Sequence, residues 1–156
     1  MMSCTEKAVF TPIGYVKTDA VGDALRDKSA VSQIKLNAEL VNGLSGIKDF
    51  SHLFVLYHLN QMTDEQRKTL KVYPRGRTDL PLTGVFATRT MMRPNPIALT
   101  LVELLKVEDN VLTVKGLDAY DGTPVLDIKP YDPWDCVENP KVPDWWKKLE
   151  SEKLRG

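Results

Sequence analysis

The chain has 156 residues, 42% of them hydrophobic and 27% charged, which fits one globular core and excludes a disordered or fibrous chain. Its 21 basic and 21 acidic residues cancel, so no global basic excess marks a non-specific nucleic-acid binder. No apolar run reaches the ~20 residues of a membrane helix, MMSCTEKAVF lacks the apolar core of a secretory signal, and Cys4 and Cys136 lack the spacing of a zinc knuckle or disulfide framework.

The expectation is therefore a soluble, cytoplasmic chain with no membrane partner and no metal. In chain order, AVFTPIGYVKT holds strand formers around Pro12 and Gly14, which suit an edge or a bend. VSQIKLN alternates about Ile34 and Leu36 as a half-buried strand does, and AELVNGLSGIKDF reads as a helical turn stopped at Gly43 and then a loop. HLFVLYHL is apolar enough to predict a strand buried on both faces. TDEQRKTLKV opens a short helix, with Thr63 and Gln66 at the reciprocal positions of a capping box, while Leu70 to Val72 fits extended chain equally well. GVFAT predicts a short strand, IALTLVELLKV and VLTVKGL a hairpin about EDN, and PVLDIKPY another extended segment. Pro143 and Asp144 open a terminal helix, PDWWKKLESEKL. Six or seven short strands predict a mainly β fold, a small antiparallel β-barrel with short helices. Its core would span about 9–133 and its helical tail about 143–155, all in one domain over 1–156. No G-x-G-x-x-G follows a strand anywhere, so a Rossmann fold is excluded.

Chemistry concentrates in three places. In RPNPIA, residues 93–98, two prolines fix their own φ and restrict the residue before each, so the carbonyls around Asn95 point in nearly fixed directions. That is the character of a rigid turn, or of a site that binds without an ordering cost, with Arg89 and Arg93 as forks for a carboxylate or phosphate. In GLDAYDGTPVLDIKPY the carboxylates of Asp118, Asp121 and Asp127 recur among turn residues, able to bond the local backbone or to attract an amine. As one cationic and one anionic loop, the two stretches suit a zwitterion. Residues 67–93 carry seven basic side chains against Asp79 alone, whereas residues 103–138 carry nine acids against three lysines. These are two solvated faces, or one surface for a polyanion and another for a cationic ligand. His52 and His58 share a strand face without a third ligand, and Trp134, Trp145 and Trp146 either anchor the terminal helix or stack a base.

PIGYVKT, FSHLFVLY, GVFATR, RPNPI and LDAYDGTPVLDIKPY stand in one order over about residues 12–133, and in that combination the chain resembles the tRNA methyltransferase O family, also called TsaA-like or YaeB-like. The resemblance implies a small dimeric β-barrel that binds S-adenosylmethionine near the subunit boundary. It further implies methylation of the exocyclic amine of threonylcarbamoylated adenosine next to the tRNA anticodon. On the matching words, Arg89, Leu99, Asp121, Gly122, Thr123 and Pro124 are implied cofactor contacts. Asn95 joins them from RPNPIA, Arg26 stands at the arginine of an early PRQ word, and Asn60 follows the central strand where another contact falls. Arg67, Lys71, Arg75, Arg77 and Arg93 form the expected tRNA surface. Methyl transfer from a sulfonium needs mainly in-line placement and a dry site, so no catalytic base is assigned.

The family usually reads ATRSPxRPNPIGL, where this chain has Thr90, Met91 and Met92 in place of Ser-Pro-x and Ala98 in place of glycine. Arg26 sits in LRD instead of PRQ, and no further C-terminal domain is expected. These departures and the zero net charge keep two alternatives open: methylation of a small metabolite, and a non-catalytic S-adenosylmethionine-binding module.

Overall fold

The computed structural model describes residues 6–153, so Cys4 and the expected last helical residues, 154 and 155, lie outside the described residues. It contains eight strands: β1 (Gly14–Lys17), β2 (Val31–Leu36), β3 (His52–His58), β4 (Lys71–Val72), β5 (Thr83–Gly84), β6 (Ile97–Glu108), β7 (Val111–Lys115) and β8 (Pro124–Pro130). Two α-helices accompany them, α1 (Asp64–Arg67) and α2 (Asp144–Lys153). The described residues of Met1–Asn60 and Ile97–Tyr131 form one compact unit, and those of Gln61–Pro96 and Asp132–Gly156 a second.

The first unit is a closed barrel in the order β1-β2-β7-β6-β3-β8, antiparallel at every pairing, with β8 returning to β1. Strand alternation builds it: β2 exposes Val31, Gln33 and Lys35 and turns Ser32, Ile34 and Leu36 into the core. Val16 of β1 stands opposite Ile34, and both are at most 2% exposed. The backbones of β1 and β2 approach so closely at Gly14 that a Cβ there would lie 2.3 Å from the Lys35 carbonyl oxygen. Only glycine fits that crossing. β6 is 12 residues long and serves two neighbours, pairing with β3 over residues 97–103 and with β7 over residues 103–108. Its register shifts between Leu104 and Lys106, so Leu105 is the extra residue of a bulge that bends the strand from one neighbour to the other. The expected hairpin between β6 and β7 forms, with Asp109 at φ 49° in its turn.

Two expectations give way. β3 is buried on one face only: Leu53, Val55 and Tyr57 point into the barrel, whereas Phe54 and Leu56 are half-buried on its outside. Of GVFAT only Gly84 lies in a strand, the end of β5, and Val85–Ala87 coils into a 3-10 turn that buries Val85 to 1% and leaves Phe86 78% exposed. The Thr88 hydroxyl closes that turn by donating to the Val85 carbonyl at 3.0 Å.

In the second unit α1 carries the anticipated capping box, with the Gln66 amide donating to Thr63 Oγ1 at 3.2 Å and the Thr63 amide to Gln66 Oε1 at 2.9 Å. β4 and β5 pair as a two-stranded ribbon, which settles Lys71 and Val72 as extended. α2 buries Leu149 and is tied by ion pairs to residues 77–79: Arg77 grips Asp79 in a fork (3.0 and 2.6 Å) and also Glu152, while Lys148 reaches Asp79 at 2.9 Å. Trp134 departs from the role of a helix anchor, since it is 96% exposed on a turn capped by Asp132.

Candidate functional site

Residues 88–96 form a loop in the second unit whose backbone is held at several points. The Arg93 guanidinium donates through Nη1 to the carbonyl oxygens of Thr88 (3.3 Å) and Thr90 (3.0 Å). From α1, Arg67 Nε donates to the Pro94 carbonyl at 3.1 Å. Thr88 Oγ1 accepts the Thr90 amide at 3.4 Å, and Thr90 Oγ1 accepts the Met92 amide at 3.3 Å. Such hydroxyl turns supply the local order that a proline at position 91 otherwise brings. Pro96 is buried and Asn95 exposed, immediately ahead of β6. Arg89 is exposed as well, and among the described residues neither Arg89 nor Asn95 has a side-chain hydrogen bond or ion pair. Among the described residues the loop thus presents an unpaired guanidinium and an unpaired amide on a backbone held at the carbonyls of Thr88, Thr90 and Pro94.

The turn of residues 121–124 lies in the first unit, docked on the end of β1. Gly122, at φ 77°, donates its amide to the Val16 carbonyl (2.8 Å), and the Val16 amide returns to Thr123 O (3.0 Å). Asp121 Oδ1 accepts the Thr18 amide at 3.0 Å, and Lys17 Nζ stands 3.4 Å from Oδ2. That amide first, and Lys17 after it, hold the Asp121 carboxyl below its ordinary range. The carboxylate is half exposed, so it fastens the turn and still faces solvent. Thr123 is buried at 5%, and Pro124 starts β8 opposite Tyr15.

Tyr57, 3% exposed, explains how the chain ahead of this turn is fixed. Its hydroxyl donates to the Asp118 carbonyl at 2.6 Å and therefore accepts from Thr100 Oγ1 at 3.0 Å. Burial pushes its pKa up. Nothing in HLFVLYHL announces this bond, because its acceptor lies 61 residues away. Ser32 is the counterexample, its Oγ buried with no partner among the described residues.

The remaining candidates divide between the two units. Arg26 ends a 3-10 turn (Gly22–Arg26) whose Leu25 is buried, and it is exposed. Asn60, also exposed, follows β3 with its amide bonded to His58 O at 2.9 Å. Leu99 is 55% exposed on the outside of β6, opposite Leu56. Ile97 and Leu101 on the same face are 41% and 42% exposed, which makes an apolar strip. Arg26, Asn60, Leu99 and residues 121–124 therefore belong to the barrel, whereas Arg89, Asn95 and the five basic candidates belong to the second unit. Of those five, Lys71 and Arg75 are exposed and have no ion pair among the described residues. Arg77 is committed to Asp79 and Glu152, and Arg67 and Arg93 to the loop carbonyls. Among the described residues no cluster of His, Cys, Asp or Glu has the form of a metal site, and no helix is long and apolar enough to cross a membrane.

Comparison with known proteins adds three relatives. An S-adenosyl-L-methionine-binding protein of Archaeoglobus fulgidus is 44% identical over 135 residues, 83% of this chain and 94% of that protein. A tRNA (adenine(37)-N6)-methyltransferase of Mus musculus is 38% identical over 152 residues, 90% of this chain but 35% of the mouse protein. A crystal structure of TrmO superimposes with a TM-score of 0.71 at 29% identity, covering 96% of this chain and 77% of that one. The family model for the tRNA-methyltransferase O N-terminal domain matches residues 18–135, and with that span matched the chain belongs to this family.

Proposed function

We propose that the chain binds S-adenosylmethionine and methylates tRNA at the exocyclic amine of threonylcarbamoylated adenosine beside the anticodon. Family membership and the activities for which the archaeal and mouse relatives are named support the reading. The observation that carries it is that Arg89 and Asn95, without a side-chain partner among the described residues, stand on a loop held at the carbonyls of Thr88, Thr90 and Pro94.

Group by group, the residues offer chemistry that matches the cofactor's. Arg89 is an exposed guanidinium, unpaired among the described residues and suited to its carboxylate, and Asn95 offers an amide to its polar edges. Leu99 supplies an exposed apolar surface for a purine face, and Asp121, Gly122, Thr123 and Pro124 a fixed turn with a solvent-facing carboxylate for an amine. Arg26 and Asn60 are further contacts on the strength of the family words. When bound, the cofactor supplies a methyl group activated on a sulfonium. The protein's share is to hold and orient it and to exclude water.

Lys71 and Arg75, without an ion pair among the described residues, are cations for phosphates, with Arg67, Arg77 and Arg93 adding whatever charge their internal partners leave. Ile97 and Leu101, which flank Leu99 on the same face of β6, are apolar surface for a second copy in a homodimer, with the purine on Leu99 at the subunit boundary. The protein works in the cytoplasm on this reading. Calorimetry with S-adenosylmethionine tests it at the cofactor: Arg89→Ala weakens binding in a folded protein, and unchanged affinity removes the role given to Arg89. The A. fulgidus relative is named for binding alone, which favours as second reading a binding module without turnover. Cofactor binding with no methyl transfer to tRNA would select it.

A further inference from the structure

The 88–96 loop divides its groups in a particular way. The peptide carbonyls on both sides of Arg89, those of Thr88 and Thr90, are taken by Arg93, and the carbonyl directly before Asn95, that of Pro94, is taken by Arg67. The side chains of Arg89 and Asn95 have no partner among the described residues. The prolines explain half of this order, because Pro94 and Pro96 restrict φ only for residues 93–96. Over residues 88–92 the restraint comes from the guanidinium and the threonine hydroxyls. A backbone fixed in advance spares the loop the backbone part of the ordering entropy at the moment of contact, leaving only the side chains to be ordered.

We propose that Arg67 and Arg93 are positioning residues of this loop, which act through the carbonyls of Thr88, Thr90 and Pro94 to present Arg89 and Asn95 to the ligand. The proposal rests on the S-adenosylmethionine reading above. It gives both arginines a role other than the phosphate contacts that charge alone predicts, and the two roles separate under a lysine substitution. Lysine keeps the charge a phosphate needs but lacks the Nε donor and the planar fork that grip a carbonyl.

The test titrates the full chain with S-adenosylmethionine in a calorimeter, as wild type, Arg93→Lys and Arg67→Lys, with amide hydrogen exchange of residues 88–96 followed in the free proteins. Each variant is expected to bind roughly tenfold more weakly, through a less favourable entropy, with faster exchange confined to the loop and an unchanged melting temperature. Wild-type affinity and exchange in both variants would overturn the proposal, as would a loss of affinity that follows a general loss of stability. If Arg93→Lys does not fold, Arg67→Lys, whose contact is the more exposed one, decides alone. If the wild type itself does not bind S-adenosylmethionine, the cofactor reading fails and not this one. Exchange then decides: faster exchange supports the clamps, and unchanged exchange removes them.

Discussion

Tyr57 and Ser32 both place a hydroxyl inside the barrel, and they differ in what the chain does with it. Tyr57 gives its proton to Asp118 O and accepts from Thr100, whereas Ser32 Oγ has no partner among the described residues. Removing the first hydroxyl leaves a backbone carbonyl and a threonine without their bonds, so Tyr57→Phe should cost about 1–3 kcal/mol in urea unfolding. An unchanged midpoint would mean that the hydroxyl fastens nothing. The bond to Asp118 also fixes the segment leading into residues 121–124, so the variant should raise proteolytic cleavage there. Asp121 shows why such roles escape the sequence: DG advertises a turn, but its main partner is the amide of Thr18, 103 residues earlier. Arg67 and Arg93 escape in the same way, for a basic residue in a basic run looks like a surface charge until its acceptor carbonyl is seen.

Among the elements, those set by local chemistry are legible in the sequence and those set by packing are not. The Thr63 and Gln66 capping box, the β6–β7 hairpin and the Pro-Asp opening of α2 each need only neighbours in sequence, and each forms. β3 departs from its expected two-sided burial because an apolar run does not say whether the outer face meets a core or lies open. GVFAT departs from a strand because burial of Val85 is reached by a turn and not by alternation. The β1–β2 crossing is the least forgiving element: with a backbone oxygen 2.3 Å from the missing Cβ, Gly14→Ala cannot be absorbed by a flexible side chain. It should cost at least about 3 kcal/mol and leave little soluble protein. Recovery of a normally melting variant would contradict the close approach of the two strands. In the second unit, Lys71 and Arg75 are the expected phosphate cations. Alanine at either should lower the slope of log affinity for tRNA against log salt by about 1, while Arg77→Ala changes it less because its charge is already shared. Equal slopes for all three variants would remove the distinction.

For the whole molecule, several ionisable groups set opposite edges of a stability range. Arg77 first and Lys148 second hold Asp79 far below the ordinary carboxylate range; Arg77 lowers Glu152, Lys115 lowers Glu103, and the Thr18 amide lowers Asp121. A carboxyl with a depressed folded pKa stabilises above its unfolded pKa and loses that contribution as the pH falls, so the melting temperature should drop below about pH 4. Tyr57 is raised by burial, so its contribution is present below its unfolded pKa and fades as the pH climbs beyond about 10. A melting temperature that stays flat from about pH 3 to 11 would show that these groups are not held as described. The barrel is readable from strand spacing and turn chemistry. The division of candidate residues between the barrel and a second unit is not, because it depends on which distant segments pack together. The central claim is a methyl transfer, and its most direct test supplies labelled S-adenosylmethionine and tRNA from cells lacking this modification. Label in the threonylcarbamoylated adenosine beside the anticodon is the predicted result, and cofactor binding without any label in tRNA would contradict it.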